Sequence, residues 1–158
     1  MRVLAIDPGY DRVGVAVMEY QQRETILYST CLETDRTKPI PHRLQYIGES
    51  IEAIIFKYQP DTCALEKVFF NKNIKTAIAV AEARGVMLYI AQKAKCQVYE
   101  FGPQEIKIAT TGHGGSCKED VQAMVMRLVS NTPPSALDDE YDAIAVGVTC
   151  LAHYGRTS

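Results

Sequence analysis

The chain has little of what several common chemistries require. Its three histidines, at 42, 113 and 153, form no His-x-x-x-His pair, and its five cysteines, at 31, 63, 96, 117 and 150, form no Cys-x-x-Cys. These absences argue against a zinc site, and the odd, scattered cysteines argue against a disulfide framework. They read as reduced thiols, most of them buried. There is no G-x-S-x-G elbow and no P-loop, so the usual serine-hydrolase and phosphate-loop chemistries lack their signatures. No apolar run approaches the roughly 20 residues that span a bilayer. The first apolar run ends at Ile6, before Asp7-Pro8-Gly9, too early for a signal-peptide core. The expectation is a soluble, cytoplasmic protein with no membrane partner.

What is present fits one globular domain over residues 1–158, with 47% hydrophobic residues to build a core. The net charge of −2 does not favour a nucleic-acid binder, but the charge is unevenly placed. Residues 67–118 hold eight Lys/Arg against three Asp/Glu, a net of +5, so the remainder carries −7. A basic middle beside an acidic remainder suits either a DNA-facing surface next to a metal site or ordinary solvated charge.

The apolar pattern starts with period two. Residues 3–6, 13–20 and 25–30 read as three strands separated by Asp7-Pro8-Gly9 and by the polar run 21–24. Leu44, Ile47, Ile51, Ile54, Ile55 and Tyr58 then recur at helical spacing, with Pro39 and Pro41 before them and Pro60 after. A short strand at 62–65 ends in Glu66, and an alanine-rich helix is expected over 74–93. A strand at 97–101 and a helix from Pro103 to about 109 follow. A glycine-bearing loop at 110–116 leads to a helix at 118–129, and a last helix runs from 138 to about 152. Strands and helices in this order predict an α/β domain with a mixed sheet.

Asp7 and Glu66 each end a predicted strand, and ligands of open α/β sheets gather at such ends. Singly, each also reads as a turn former or a solvated acid. Asp138-Asp139-Glu140-Tyr141-Asp142 opens the last helix, where Asp142 shares a face with both Asp138 and Asp139. Asp138 is placed to cap that helix. Asp142 lies a turn inside, ahead of the apolar run 143–148, and a carboxylate at a buried helix requires a partner such as a metal ion. Several carboxylates on rigid elements suit Mg²⁺, which prefers hard oxygen ligands. Two such ions about 3.5–4 Å apart activate a water and stabilise the leaving oxygen in phosphodiester hydrolysis. Spacing alone leaves Asp138 and Asp139 open as the ligand.

Ile6-Asp7-Pro8-Gly9, Leu65-Glu66-Lys67-Val68-Phe69 with Lys72-Asn73, Ala83-Arg84-Gly85-Val86, and Asp139-x-x-Asp142-Ala143-Ile144-Ala145 together resemble the RuvC family of bacterial Holliday-junction resolvases, in one register from about residue 2 to 153. The resemblance implies a ribonuclease-H-like fold, a five-stranded mixed sheet flanked by helices. It implies a homodimer that nicks two opposed strands of a four-way junction, leaving 5′-phosphate and 3′-hydroxyl ends, in recombination and repair. It carries the catalytic, metal-holding role to Asp7, Glu66, Asp139 and Asp142, with two Mg²⁺ per site and Mn²⁺ able to substitute. It carries DNA contact to Phe69, Lys107 and Lys118, and Gly112 and Gly114 to the loop before Lys118; His113 reads as a loop residue. Motor proteins of the RuvA and RuvB type are the implied partners. The alternatives are a junction-binding protein that does not cut, or a nuclease for another structured nucleic acid. An actin-like kinase also opens with Asp-x-Gly, but needs about twice this length.

Overall fold

The computed structural model describes residues 1–68 and 74–155. Strands β1 (Arg2–Asp7), β2 (Arg12–Tyr20) and β3 (Glu24–Glu33) are followed by helix α1 (Ile40–Tyr58), β4 (Thr62–Glu66), α2 (Ile74–Lys93) and β5 (Gln97–Phe101). Three helices close the chain, α3 (Pro103–Thr111), α4 (Lys118–Leu128) and α5 (Asp138–Cys150), the last widening into a π-helical turn, Leu151–Gly155. The sheet order is β3-β2-β1-β4-β5. β1 pairs with β2, and β2 with β3, antiparallel; β4 lies parallel to β1, and β5 parallel to β4. The expected five-stranded mixed sheet is therefore present. Strand β3 runs to Glu33 rather than stopping at 30, because its pairing with β2 continues to Arg12↔Glu33.

Helix α1 starts at Ile40, earlier than the apolar spacing suggested, and Pro41 falls in its first turn. A proline is tolerated there because that N–H has no partner within the helix. No described helix is long and apolar enough to cross a membrane.

The two faces of the sheet hold two cores. Leu4, Ile6, Val13, Val15, Val17, Cys63 and Leu65 face α1 and α2, meeting Ile47, Ile51, Ala83 and Met87. Val3, Ala5, Ala16, Met18 and Ala64 face α5, α4 and α3. The second face is built from small residues, and that lets α5 lie close against it. A Cβ on Gly147 would press on Met18 and Ala5, and one on Gly14 would overlap the Asp139 carbonyl. Residues 143–151 of α5 and its extension are buried without exception. Each fully buried Val, Ile or Leu is worth about 1.5–3 kcal/mol, so Ile144, Val146, Val148 and Leu151 together hold α5 firmly against the sheet.

Candidate active site

The pleat places the first two acids. Ile6 lies opposite Leu65 in the β1–β4 ladder, and both point to the α1–α2 face. Side chains alternate along a strand, so Asp7 and Glu66, one residue further on, both point toward α5. They end neighbouring parallel strands and share one crevice there, as the positions at two strand ends led us to expect.

Helix α5 contributes the rest. Its N-cap is Leu137, with no side-chain cap bond, and Asp138 is the first helical residue. This corrects the expectation that Asp138 caps the helix: the chain turns into α5 one residue earlier, and the Asp138 side chain is 70% exposed, 3.8 Å from Lys118 Nζ. Asp142 is more enclosed, at 29%, and accepts a 2.7 Å hydrogen bond from Lys118 Nζ. Glu140 turns away and accepts a bond from Ser29 Oγ at 2.5 Å.

The cations come from α3 and α4. Glu105 accepts the Gly102 N–H at 2.6 Å and fixes the start of α3; Asp120 does the same for α4 through the Cys117 N–H at 3.0 Å. The connection between them is pinned by Thr111, whose hydroxyl bonds to Lys107 O, His113 O and Ser116 Oγ, and Gly112 takes the left-handed conformation (φ 79°) that ends α3. Gly114 and His113 lie in this loop, His113 exposed. Lys107 and Lys118 then line one cavity of about 190 Å³ together with Glu66 and Asp142, and its apolar lining is Pro103, Ile106, Val121 and Ala145.

The groups are close enough for their charges to act on one another. Burial, then the charges of Glu66, Asp142 and Asp139, push the Asp7 carboxyl well above the usual carboxylate range. Burial and the Asp142 charge raise Glu66 to about 7. Burial also raises Asp142, against the bond from Lys118. For Lys118, burial acts downward, but its bond to Asp142 and the surrounding acids outweigh it, and the ammonium is raised. Lys118 is a cation whose charge acts on Asp7, Glu66 and Asp142 alike.

Asp139 faces the other side. Its Oδ2 lies 3.3 Å from Arg12 Nε, yet that buried oxygen receives no hydrogen bond from the described residues, since the Arg12 N–H is not aimed at it. Among the described residues no three His, Cys, Asp or Glu side chains converge closely enough to cage an ion as they stand. The set nonetheless fits a hard divalent cation in donor type, in charge, and in the oxygen of Asp139 left without a donor. It is an open set gathered around an ammonium rather than a finished cage.

Of the residues named from the sequence, the structure brings Asp7, Glu66 and Asp142 together with Lys107 and Lys118, and sets Asp139 at the margin beside Arg12. Phe69 falls outside the described residues, as do Lys72 and Asn73. Only part of the basic stretch gathers here: Lys93 pairs with Glu52 at the far end of α2. Two residues escaped notice. Gly14, a glycine inside a strand, signals close backbone approach, and here it seats the first turn of α5. Arg12 carried no pattern that would have singled it out.

The family model described as "Crossover junction endodeoxyribonuclease RuvC" matches residues 3–150. A crossover junction endodeoxyribonuclease RuvC of Thermosipho melanesiensis is 41% identical, over 96% of this chain and 97% of that protein. One of Brevibacillus brevis is 38% identical, over 94% and 90%. Among solved structures, Thermus thermophilus RuvC in complex with Holliday junction substrate superposes with a TM-score of 0.90 at 27% identity, over 99% of this chain and 96% of that one. The yeast mitochondrial Holliday junction resolvase Ydc2 shares the fold, with a TM-score of 0.70 at 10% identity.

Proposed function

Since the chain belongs to the RuvC family, whose fold it shares across nearly its full length, we propose that the cluster of Asp7, Glu66 and Asp142 around Lys118 is the centre at which it nicks four-way DNA junctions. It is a crossover junction endodeoxyribonuclease, acting in DNA recombination and repair, and its chemistry depends on a divalent metal. The single observation that carries the site is geometric: Asp7 and Glu66 end paired parallel strands beside Asp142 of α5, which holds Lys118, and burial with the neighbouring acids raises all three carboxyls.

Asp7, Glu66, Asp142 and Asp139 are the residues that would hold the metal, two Mg²⁺ ions with Mn²⁺ able to substitute. When bound, such ions lower the pKa of the attacking water and neutralise charge on the leaving oxygen. The chain's own part is to orient the strand and exclude water. Lys118 has N–H groups to spare beyond its bond to Asp142, and with Lys107 it can hold non-bridging phosphate oxygens at the entrance of the cavity. Pro103, Ile106, Val121 and Ala145 line the same cavity and keep it dry beside the reacting phosphate. Phe69, at the end of the segment that follows Glu66, is assigned to the junction centre, where an apolar side chain can unstack bases.

The two opposed nicks require two active sites related by a two-fold axis, hence a homodimer. Helix α2 is its interface in this reading: Ile78 and Tyr89 expose 72% and 67% of their surface, large apolar groups that otherwise face water. The nicked ends carry 5′-phosphate and 3′-hydroxyl groups, the partners are motors of the RuvA and RuvB type, and the compartment is the cytoplasm. One nuclease domain spans 1–158, supported by a single sheet that serves both cores.

The test compares a mobile four-way junction, a Y-fork and linear duplex, each with and without Mg²⁺. Paired nicks in the junction alone, and only with metal, are expected. Equal cutting of the Y-fork would assign the chain to other branched nucleic acids.

A further inference from the structure

Beyond Asp139 lies a second cleft, separate from the one that holds Lys107 and Lys118. It has a volume of about 250 Å³, and Arg12, Arg36, Asp139, Val80 and the turn at 9–11 line it. Both guanidinium groups are occupied by acids of this chain. Arg36 reaches Asp11 at 3.2 Å, and Arg12 reaches Asp139 at 3.3 Å. The turn between them is rigid. Arg43, almost fully buried, binds the Tyr10 carbonyl at 2.9 Å, the Thr34 hydroxyl and the Asp11 carboxylate, and a Cβ on Gly9 would overlap the Arg12 carbonyl.

The Arg12–Asp139 pair is poorly made. The distance is that of an ion pair, but the geometry is not that of a hydrogen bond, and among the described residues the buried Oδ2 of Asp139 has no donor. An arginine normally grips a carboxylate with aligned, often paired N–H groups. Here the carboxylate is left short of partners, and the guanidinium, 42% exposed, meets it without a hydrogen bond. Both would gain from separate ones, the carboxylate from a cation and the guanidinium from an anion that accepts two N–H bonds.

We propose that Arg12 is a gated phosphate-binding residue: it neutralises Asp139 while the acid cluster is metal-free, and it is released to a DNA backbone phosphate once Asp139 is engaged by a divalent cation. This rests on the junction-nuclease reading of the acid cluster. Arg36, already in the cleft, supplies the second guanidinium of the phosphate site. The strand would then be held on both sides of the acids, by Lys107 and Lys118 at one cleft and by Arg12 and Arg36 at the other. Metal loading and DNA binding become coupled, each favouring the other by the same factor.

The test measures junction affinity against salt, at matched ionic strength, with and without Ca²⁺ as the divalent probe. Each phosphate contact adds about one unit to the slope of log affinity against log salt. The parent protein should gain about one unit when Ca²⁺ is added. Arg12→Ala should show the same slope with and without it, and Arg12→Lys should recover part of the gain. Calorimetry on the DNA-free protein gives a second readout: Arg12→Ala, lacking the internal competitor for Asp139, should bind Mn²⁺ several-fold more tightly. The proposal is overturned if Arg12→Ala keeps the Ca²⁺-induced gain, if the parent shows none, or if the variant binds Mn²⁺ no better than the parent. Failure of the underlying reading shows itself differently, as a parent protein that does not prefer a four-way junction to duplex.

Discussion

Lys118 Nζ donates a 2.7 Å hydrogen bond to Asp142 Oδ2, so the first residue of α4 places its ammonium against the second turn of α5, amid three strained acids. Its removal should expose their repulsion. Lys118→Ala is expected to lower the melting temperature of the metal-free protein, and Mg²⁺ should erase most of that difference. The salt dependence of junction binding should weaken by about one unit. Scanning fluorimetry with and without Mg²⁺ reads the first effect and fluorescence anisotropy the second. An unchanged slope would place Lys118 off the DNA backbone.

The raised carboxyls set the sign of a pH effect. Asp7 and Glu66 have folded-state pKa values above those of the unfolded chain, Glu66 at about 7. Their contribution to stability is therefore fully present below the unfolded carboxylate range, about 4, and is lost as pH rises through the folded values, which for Glu66 means through about 7. Metal needs the ionised form, so the Mg²⁺-induced rise in melting temperature should be small near pH 5 and grow toward pH 8. A metal effect that does not vary over this range would contradict the assignment of these acids.

Gly14 has no room for a methyl group, because its Cβ would occupy the space of the Asp139 carbonyl and touch Ala143. Gly14→Ala should push the start of α5 away from β2 and cost about 1–3 kcal/mol in denaturant unfolding. Cleavage should fall more than junction binding does, because Asp139 and Asp142 shift while the lysines stay. Normal cleavage by a destabilised variant would show that the acids tolerate the shift.

The strands, the mixed sheet and the position of Asp7 and Glu66 at strand ends were legible in the sequence, because strand periodicity and turn residues act locally. The burial of α5 was legible for the same reason, from its apolar run after Asp142. The ion pairs were not. Whether Asp142 meets Lys118, or Asp139 meets Arg12, depends on how α4 and β2 approach α5, and that is set by Gly14, Gly147 and the small residues Ala5 and Ala16 on the facing strands. The cap was misjudged by one residue because Asp138 has the right chemistry for capping, whereas Leu137 occupies the position and leaves the side-chain bond unmade.

That displacement sharpens the distinction between the neighbouring acids. Asp138 is an exposed first-turn residue, 3.8 Å from Lys118, whereas Asp139 has an enclosed oxygen beside Arg12. Asp138→Asn should retain most cleavage, losing only a first-turn charge worth about 0.3–1 kcal/mol to the helix. Asp139→Asn should lose most of it, since an amide holds a divalent cation poorly. Single-turnover cleavage of a labelled junction by the two variants separates them, and the reverse result would move the fourth ligand to Asp138.

Under the proposed function Asp7, at the heart of the cluster, serves metal-dependent nicking and not folding or DNA binding. Asp7→Asn removes one of the mutually repelling charges, so the metal-free variant should melt higher, by roughly 2–4 °C for each kcal/mol of repulsion relieved. Without divalent metal it should bind a four-way junction as tightly as the parent. Single-turnover cleavage with saturating Mg²⁺ is the most direct measurement, and the variant should be slower by on the order of a hundredfold or more. Cleavage by Asp7→Asn at near the parent rate, with binding intact, would contradict the account.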